Sequence, residues 1–491
     1  MEVLSEILLH IDSEDVKCFK STTYEMQYFI EEVEKNQEYW RRKLSRHLGF
    51  EVSQRVGESW RKMYENLADD EKELYNSAVY GYEEIVAGLT KEGFDFSGLD
   101  NYAIQIASNV GHTNVVKLLL QDKRVDPSAN KDYSIRKASK NGHADVVRLL
   151  LKDGRVDPSA REDYSIGKAS ENGHADVVKL LLEDGRVDPS RTANYAILVA
   201  SENGHVEVVK LLLKDPNVNP SAQVNYAIRA AAKNGHLEVV ELLLKDPRVN
   251  PAADNNYAFR VAAQTGVVEI VKLLLQDSRV DPSDKQNEAI IYAAKHNQIE
   301  IVKLLLKDSR IDITVNNNQA IRTASEQGYL KLVKLLLQDP RVNPSVNDNY
   351  PIRKALENEF YEIVQLLQDT RVDPSADDNY AIRTASEQGH LKIVKLLLSD
   401  KRVDPSAKHN YAIQVASKKG YLQLIKLLLA DPRVDPSDYE NTALNWAVDK
   451  NQIEAVKLLL KDPRVNPAFR NNYLRKMATK RGYTEIAKLL K

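Results

Sequence analysis

Apolar and polar residues alternate in a helical rhythm through most of the chain. In the stretch NYAILVASENGHVEVVKLLLKDPNVNPSA, residues 194–222, the second half sets Val208, Val209, Leu211, Leu212 and Leu213 around Glu207 and Lys210. Apolar residues at i, i+3 and i+4 predict an amphipathic helix. The first half, YAILVASEN, has helix-forming composition and stops at Gly204. Glycine there supplies the left-handed residue on which helices commonly end. Pro216, Asn217, Asn219 and Pro220 break the second helix, because the residue before a proline is biased to extended backbone. The unit reads as helix, tight turn, helix, proline-bearing loop. Its small pair, Ala200 and Ser201, lets helices of adjacent units approach closely.

This unit returns every 31 residues, at Gly111, Gly142, Gly173, Gly204, Gly235 and Gly266. The series runs on through Asn297, Gly328, Glu359, Gly389, Gly420, Asn451 and Gly482, with one 30-residue step where a leucine is missing before Gln368. Gly81 starts it, which makes about 14 units. A fixed period of this size means a solenoid in which each repeat touches only its neighbours. The predicted fold is an all-α solenoid over residues 71–491, with capping repeats at 71–100 and 471–491. Residues 1–70 fall outside the period and form a separate small helical domain. Asparagine tolerates the left-handed turn and glutamate does not. Glu359 and the missing leucine therefore predict a bend or a looser joint near residues 356–370.

Charge and cysteine content narrow the function. The formal net charge is −2 with 29% charged residues, so both signs are mixed over a solvated surface. A nucleic-acid or anionic-membrane partner would call for a basic excess, and neither is expected. The single cysteine, Cys18, forbids an intramolecular disulfide and points to a reducing compartment. No apolar run approaches the roughly 18–20 residues that span a bilayer. The first residues carry Glu2 and Glu6 and lack the basic start of a signal peptide. A cytoplasmic setting is expected, with a nuclear one also open, and the chain is expected to be a monomer.

The segments ASNVGHTNVVKLLL (107–120), ASENGHADVVKLLL (169–182) and AAKNGHLEVVELLL (231–244) resemble the core of the ankyrin repeat. The resemblance covers roughly residues 72–491. Two features depart from the family. The usual period is about 33 residues, so the shortening here falls in the loops and predicts short or absent hairpin fingers. At the start of the first helix Tyr-Ala-Ile-Arg (226–229, 380–383) stands where the family has Thr-Pro-Leu-His. Pro351, directly after Tyr350, supports that register, because proline is tolerated at a helix start.

Residues 1–70 hold Trp40 and Trp60. VLSEILLHIDSEDVKCF reads as a short apolar helix, an acidic helix start with Asp12 or Ser13 as cap, and a second helix. Two amphipathic pieces follow, NQEYWRRKLSRHLG and ESWRKMYENL. This order resembles an F-box and its tail. The resemblance implies that Leu4, Ile7, Leu8, Ile11, Val16 and Phe19 dock on a Skp-type adaptor, burying an amphipathic helical surface in that partner. F-box and ankyrin segments in one chain resemble proteins of large DNA viruses of eukaryotes, which implies a host-cell setting.

Three ladders invite chemistry. Six histidines (His112, His143, His174, His205, His236, His390) follow the repeat glycine. Helices pack about 8–10 Å apart, whereas zinc holds its nitrogens at about 2.0–2.1 Å, so a structural role is expected and no metal or other cofactor. Tyrosines recur from Tyr102 to Tyr473 on the scaffold spacing and are expected to cover neighbouring loops. The loop arginines, such as Arg155 between Asp153 and Asp157, are expected to form charge pairs. No phosphate-binding glycine loop, GxSxG elbow or HExxH occurs, so the chain is not expected to be an enzyme.

In ankyrin proteins the variable surface is the concave groove, and the two positions before each repeat glycine carry it. The resemblance places Lys140, Asn141, Glu171, Asn172, Glu202, Asn203, Lys233, Asn234, Glu326, Gln327, Glu387, Gln388, Lys418, Lys419 and Lys450 there. These positions are acidic over 326–388 and basic at the end, which suggests an extended client with its own charge pattern. The function implied is protein–protein recognition: a client-binding subunit of a Skp–cullin ubiquitin ligase, or alternatively an ankyrin scaffold or inhibitor with no ligase link.

Overall fold

The computed structural model describes residues 73–368 and 371–490. The predicted N-terminal domain, with Leu4, Ile7, Leu8, Ile11, Val16 and Phe19, lies outside the described residues. The chain divides into two compact units, Met1–Pro251 and Ala252–Lys491. Among the described residues the first unit holds 12 helices and the second 16, with no strand.

One repeat of the first unit shows the construction. Helix Ala129–Lys140 packs on the equivalent helices Gly98–Val110 and Ala160–Glu171, and on its own partner, Ala144–Asp153. The second helix buries Val146, Val147 and Leu150, each at most 1% exposed. Only the middle leucine of the triplet is fully buried; Leu149 and Leu151 are half-buried. Burying one such side chain contributes about 1.5–3 kcal/mol, and the triad recurs as Val177, Val178, Leu181 and as Val208, Val209, Leu212. Ala138 and Ser139 are fully buried on the first helix. Their small size permits the close approach that the pattern predicted. The second unit repeats this arrangement, with Ile393, Val394 and Leu397 buried in helix Leu391–Leu398.

The turn between the helices follows the glycine rule. Gly142 has φ 79°, the His143 N–H donates to the Ala138 carbonyl (3.0 Å), and the Gly142 N–H donates to the Ser139 carbonyl (3.3 Å). This crossed pair satisfies carbonyls that a helix end otherwise leaves open. Asn297, Glu359 and Asn451 take the same left-handed backbone, at φ 57°, 61° and 54°.

The shortened loop takes a form that the pattern did not predict. From Gly98–Val110 to Asp438–Asp449 each first helix is entered through three consecutive left-handed residues, such as Asn130, Lys131 and Asp132 at φ 55°, 57° and 58°. This single left-handed turn closes on one bond, the Asp132 N–H to the Ser128 carbonyl (2.8 Å), and occupies the place of the family's hairpin finger. Left-handed turns disfavour ordinary residues by about 1–2 kcal/mol each, and Asn and Asp least. Asn or Asp accordingly holds the third place in every described triplet. That side chain also joins repeats: Asn225 Oδ1 accepts the Asn250 N–H (2.7 Å), and Asn379 Oδ1 accepts the Asp404 N–H (2.7 Å). At the 30-residue step the register fails. Asn349 instead donates through Nδ2 to the Asp373 carbonyl (2.8 Å), and its buried Oδ1 has no partner. On either side of residues 356–370, where a bend or looser joint was expected, the observed change is this exchanged bond between Asn349 and Asp373.

Candidate interaction face

The histidines are placed by the glycines. His143, the residue before helix Ala144–Asp153, lays its ring on Gly111 of the preceding repeat, where a Cβ would stand 2.6 Å from Nδ1. Its Nε2 lies 3.0 Å from the Asn109 carbonyl. A carbonyl can only accept, so Nε2 carries the hydrogen. His112, His174, His205 and His236 do the same at 2.9, 3.0, 2.9 and 2.9 Å. The partner is thus the end of the preceding repeat's first helix.

The same carbonyls receive the asparagines that precede the glycines. Asn141, Asn172, Asn203 and Asn234 donate to Asn109, Lys140, Glu171 and Glu202, at 2.8, 2.9, 2.9 and 2.7 Å. These four groove positions therefore carry inter-repeat bonds as well as an exposed face. The glutamates one place earlier are held by tyrosines of the next repeat. Tyr195 donates to Glu171 (2.7 Å), Tyr226 to Glu202 (2.9 Å) and Tyr350 to Glu326 (3.2 Å). Lys168 also hydrogen-bonds Glu171. The Lys168 ammonium and then the Tyr195 hydroxyl hold the Glu171 carboxyl below the usual range, while burial and Glu171 push the Tyr195 hydroxyl up.

Other positions are freer. In the first unit Lys140 is half-buried and Lys233 is exposed. In the second unit Gln327, Glu387, Gln388, Lys419 and Lys450 are exposed. Lys418 sits 4.9 Å from the centre of the Trp446 ring, a cation over an aromatic face. Lys450 pairs with Asp449 at 3.1 Å, and Arg481 reaches the same carboxylate at 2.5 Å. Asp449 thus offsets part of the basic end that the sequence pattern emphasised.

Glu387 and Gln388 border an open groove with Glu357, Asn358, Tyr380, Arg383 and Tyr411. The Arg383 guanidinium lies 5.8 and 5.9 Å from the Tyr380 and Tyr411 ring centres. It donates back to the Asp378 and Asp377 carbonyls at 2.8 and 2.9 Å. The arginine and both tyrosines were visible only as scaffold residues. All three are half-buried, and their position beside the carboxylates of Glu357 and Glu387 is what makes them part of a face. The loop arginines pair as expected and also bridge repeats. Arg248 meets Asp246 at 2.7 Å and donates to the Val218 carbonyl at 2.7 Å.

No group of three or more His, Cys, Asp or Glu side chains among the described residues is placed to hold a metal ion. Within each unit these positions offer carboxylates, amides, aromatic rings and cations at the repeat spacing.

The family model for ankyrin repeats (3 copies) matches residues 74–162, 155–225, 227–317, 321–409, 384–471 and 413–491. No curated protein matches the chain. Among solved structures, the crystal structure of the human ASB11 ankyrin repeat domain is similar over 38% of this chain and 95% of that one, at 21% identity and a TM-score of 0.30. Together the six matches cover nearly all of the described solenoid, in agreement with its paired helices, turn glycines and stacked cores: this chain belongs to the ankyrin-repeat family.

Proposed function

We propose that the chain holds a protein client along the face of its first helices and presents it to a Skp–cullin ubiquitin ligase. The observation that carries client recognition is the groove bordered by Glu357, Tyr380, Arg383, Glu387, Gln388 and Tyr411. It joins the exposed Glu387 and the half-buried Glu357 carboxylates to aromatic faces, the mixture on which polypeptide recognition draws. The ligase half rests on the resemblance of residues 1–70 to an F-box. A scaffold or inhibitor that holds clients without an adaptor is the alternative.

One experiment addresses each half. Co-expression with a Skp adaptor is expected to give a stable complex that Ile7→Asp with Leu8→Asp abolishes. Absence of a complex with the unaltered chain selects the scaffold reading. Glu387→Lys with Gln388→Lys is expected to weaken client capture at least about tenfold with an unchanged unfolding midpoint. Unchanged capture would remove this face from the client site.

A further inference from the structure

Six places before each repeat glycine, the first helix carries a side chain that closes the left-handed turn. Six repeats use arginine there: Arg136, Arg229, Arg260, Arg322, Arg353 and Arg383. Arg136 is typical. Its Nε donates to the Lys131 carbonyl (2.7 Å) and its Nη2 to the Asn130 carbonyl (3.0 Å). Its guanidinium lies 5.8 Å from the Tyr133 ring centre and 5.5 Å from that of Tyr164, the tyrosine of the next repeat. Arg322 makes the same two carbonyl bonds, at 2.9 Å each. Gln105 and Gln414 make one of them, at 2.5 and 2.6 Å. Leu198 and Ile291 fill the place with buried apolar side chains.

Gly167 stands at this position in its own repeat, the only glycine there among the described residues. Its turn keeps the left-handed form, with Arg161, Glu162 and Asp163 at φ 55°, 57° and 59°. No side chain among the described residues donates to the carbonyls of Arg161 and Glu162. In the place of the missing side chain is an open cavity of about 210 Å3, between Tyr164 and Tyr195. That is room for a side-chain head group, since a single water needs only about 10–15 Å3 by this measure.

The cavity wall holds a further acceptor. Asp163 is 4% exposed, and its Oδ1 accepts the Asp188 N–H (3.0 Å). Its Oδ2 makes no hydrogen bond and has only the Nε of Arg191, a half-exposed side chain, at 3.2 Å. Burial raises the Asp163 carboxyl above its ordinary range. Lys168 is drawn aside to Glu171 and the Tyr195 hydroxyl.

We propose that this vacant cradle receives a guanidinium from outside, the arginine side chain of a bound protein, which supplies the cap that six sister repeats provide internally. The inference rests on the protein-binding reading above and names one contact within it. A planar guanidinium fork matches two neighbouring carbonyls, whereas a compact ammonium does not. Both tyrosine rings already attract cations, Arg136 at 5.5 Å from Tyr164 and Lys168 at 5.6 Å from Tyr195, which shows the preference of these faces for positive charge. A Cβ at Gly167 would meet Tyr195 Cδ1 at 3.2 Å, so a small ring shift admits the chain's own side chain as well.

Saturation-transfer NMR on the full chain, with N-ethylguanidinium and N-ethylammonium as probes, tests this. The unaltered chain is expected to bind the guanidinium saturably and the ammonium at least about tenfold more weakly. Gly167→Arg fills the cradle as Arg136 fills its own, and is expected to lose guanidinium binding. Should that variant fail to fold, Gly167→Leu fills the place as Leu198 does and must show the same loss. Equal binding of the two probes, no saturable binding, or binding retained in the filled variants would overturn the proposal. The probe contains no protein, so its failure leaves client capture standing. Loss of capture in the Glu387 and Gln388 variant likewise leaves probe binding untouched.

Discussion

Within the first unit Gly81, Gly111, Gly142, Gly173 and Gly204, the glycines that join the two helices of a repeat, each bear an imidazole from the next repeat, with the ring bonded to a carbonyl at 2.9–3.0 Å. Within the second unit the same seat takes other side chains: Gln298 on Gly266, Phe360 on Gly328, Tyr421 on Gly389 and Gln452 on Gly420. The two glutamines reach the carbonyl only at 3.4 and 3.3 Å, and phenylalanine cannot donate at all. His390 meets Glu359 in place of glycine, with Nε2 3.7 Å from the carboxylate and no hydrogen bond. The difference separates two requirements. The glycine is needed for its left-handed backbone and its bare surface. The imidazole adds a short bond that Gln298, Gln452 and Tyr329 make only at 3.3–3.4 Å and that Phe360 cannot make.

The comparison breaks most readily at the glycine. In Gly142→Ala the new Cβ stands 2.6 Å from His174 Nδ1, on a backbone at φ 79°. Left-handed strain, ring displacement and a lost bond together are expected to cost about 3–4 kcal/mol in urea unfolding. Gly154→Ala has the same backbone, φ 80°, with no atom within 4 Å, and isolates the strain. It is expected to cost only about 1–2 kcal/mol. Equal losses would show that the ring seat contributes nothing.

A smaller effect is expected at the ring itself. His143→Phe copies Phe360 on Gly328 into the first unit. It is expected to cost about 1 kcal/mol, the net value of one hydrogen bond. A loss above about 2.5 kcal/mol in the same assay would make the bond essential and the comparison between units misleading.

The smallest effect concerns the turn residue, where the first unit carries Asp132 and Asp163 and the second carries asparagine throughout. Burial outweighs the hydrogen bond from Asp157 and holds the Asp132 carboxyl above its ordinary range. A raised acid binds protons on folding, so this group's contribution to stability rises as pH falls from the raised value toward the unfolded one. Asp132→Asn is therefore expected to stabilise at neutral pH. The gain should fade as the pH falls and vanish below about 3.9, where the wild-type carboxyl is neutral folded or unfolded. Unfolding midpoints at neutral and acid pH check this, and a gain that persists in acid would refute it.

Much of the scaffold was legible in the residues. The 31-residue spacing, the Val-Val and leucine positions and the turn glycines carry a helix pair and its stacking direction without further information. The left-handed turn was written there too, in the Asn or Asp that precedes Tyr133, Tyr226 and Tyr380, but periodicity cannot see it. Three left-handed residues have no apolar rhythm, and Asn alone is as compatible with an ordinary turn. The groove positions were legible as places and not as chemistry. Asn141 and Glu171 stand where the pattern put them, yet each is tied to a neighbouring repeat by bonds 32 and 24 residues apart.

By itself, then, the sequence determined the repeating unit, its helices and the residues that end them, because those depend on contacts within a few positions along the chain. Which polar groups are bonded and which stay free was decided only by the stack. Asn349 loses its ladder bond because one residue is missing in the next repeat, and the space at Gly167 exists because Tyr164 and Tyr195 flank it. Such vacancies arise between repeats, where one chain segment must satisfy another about 30 positions away, and no local pattern records whether it does.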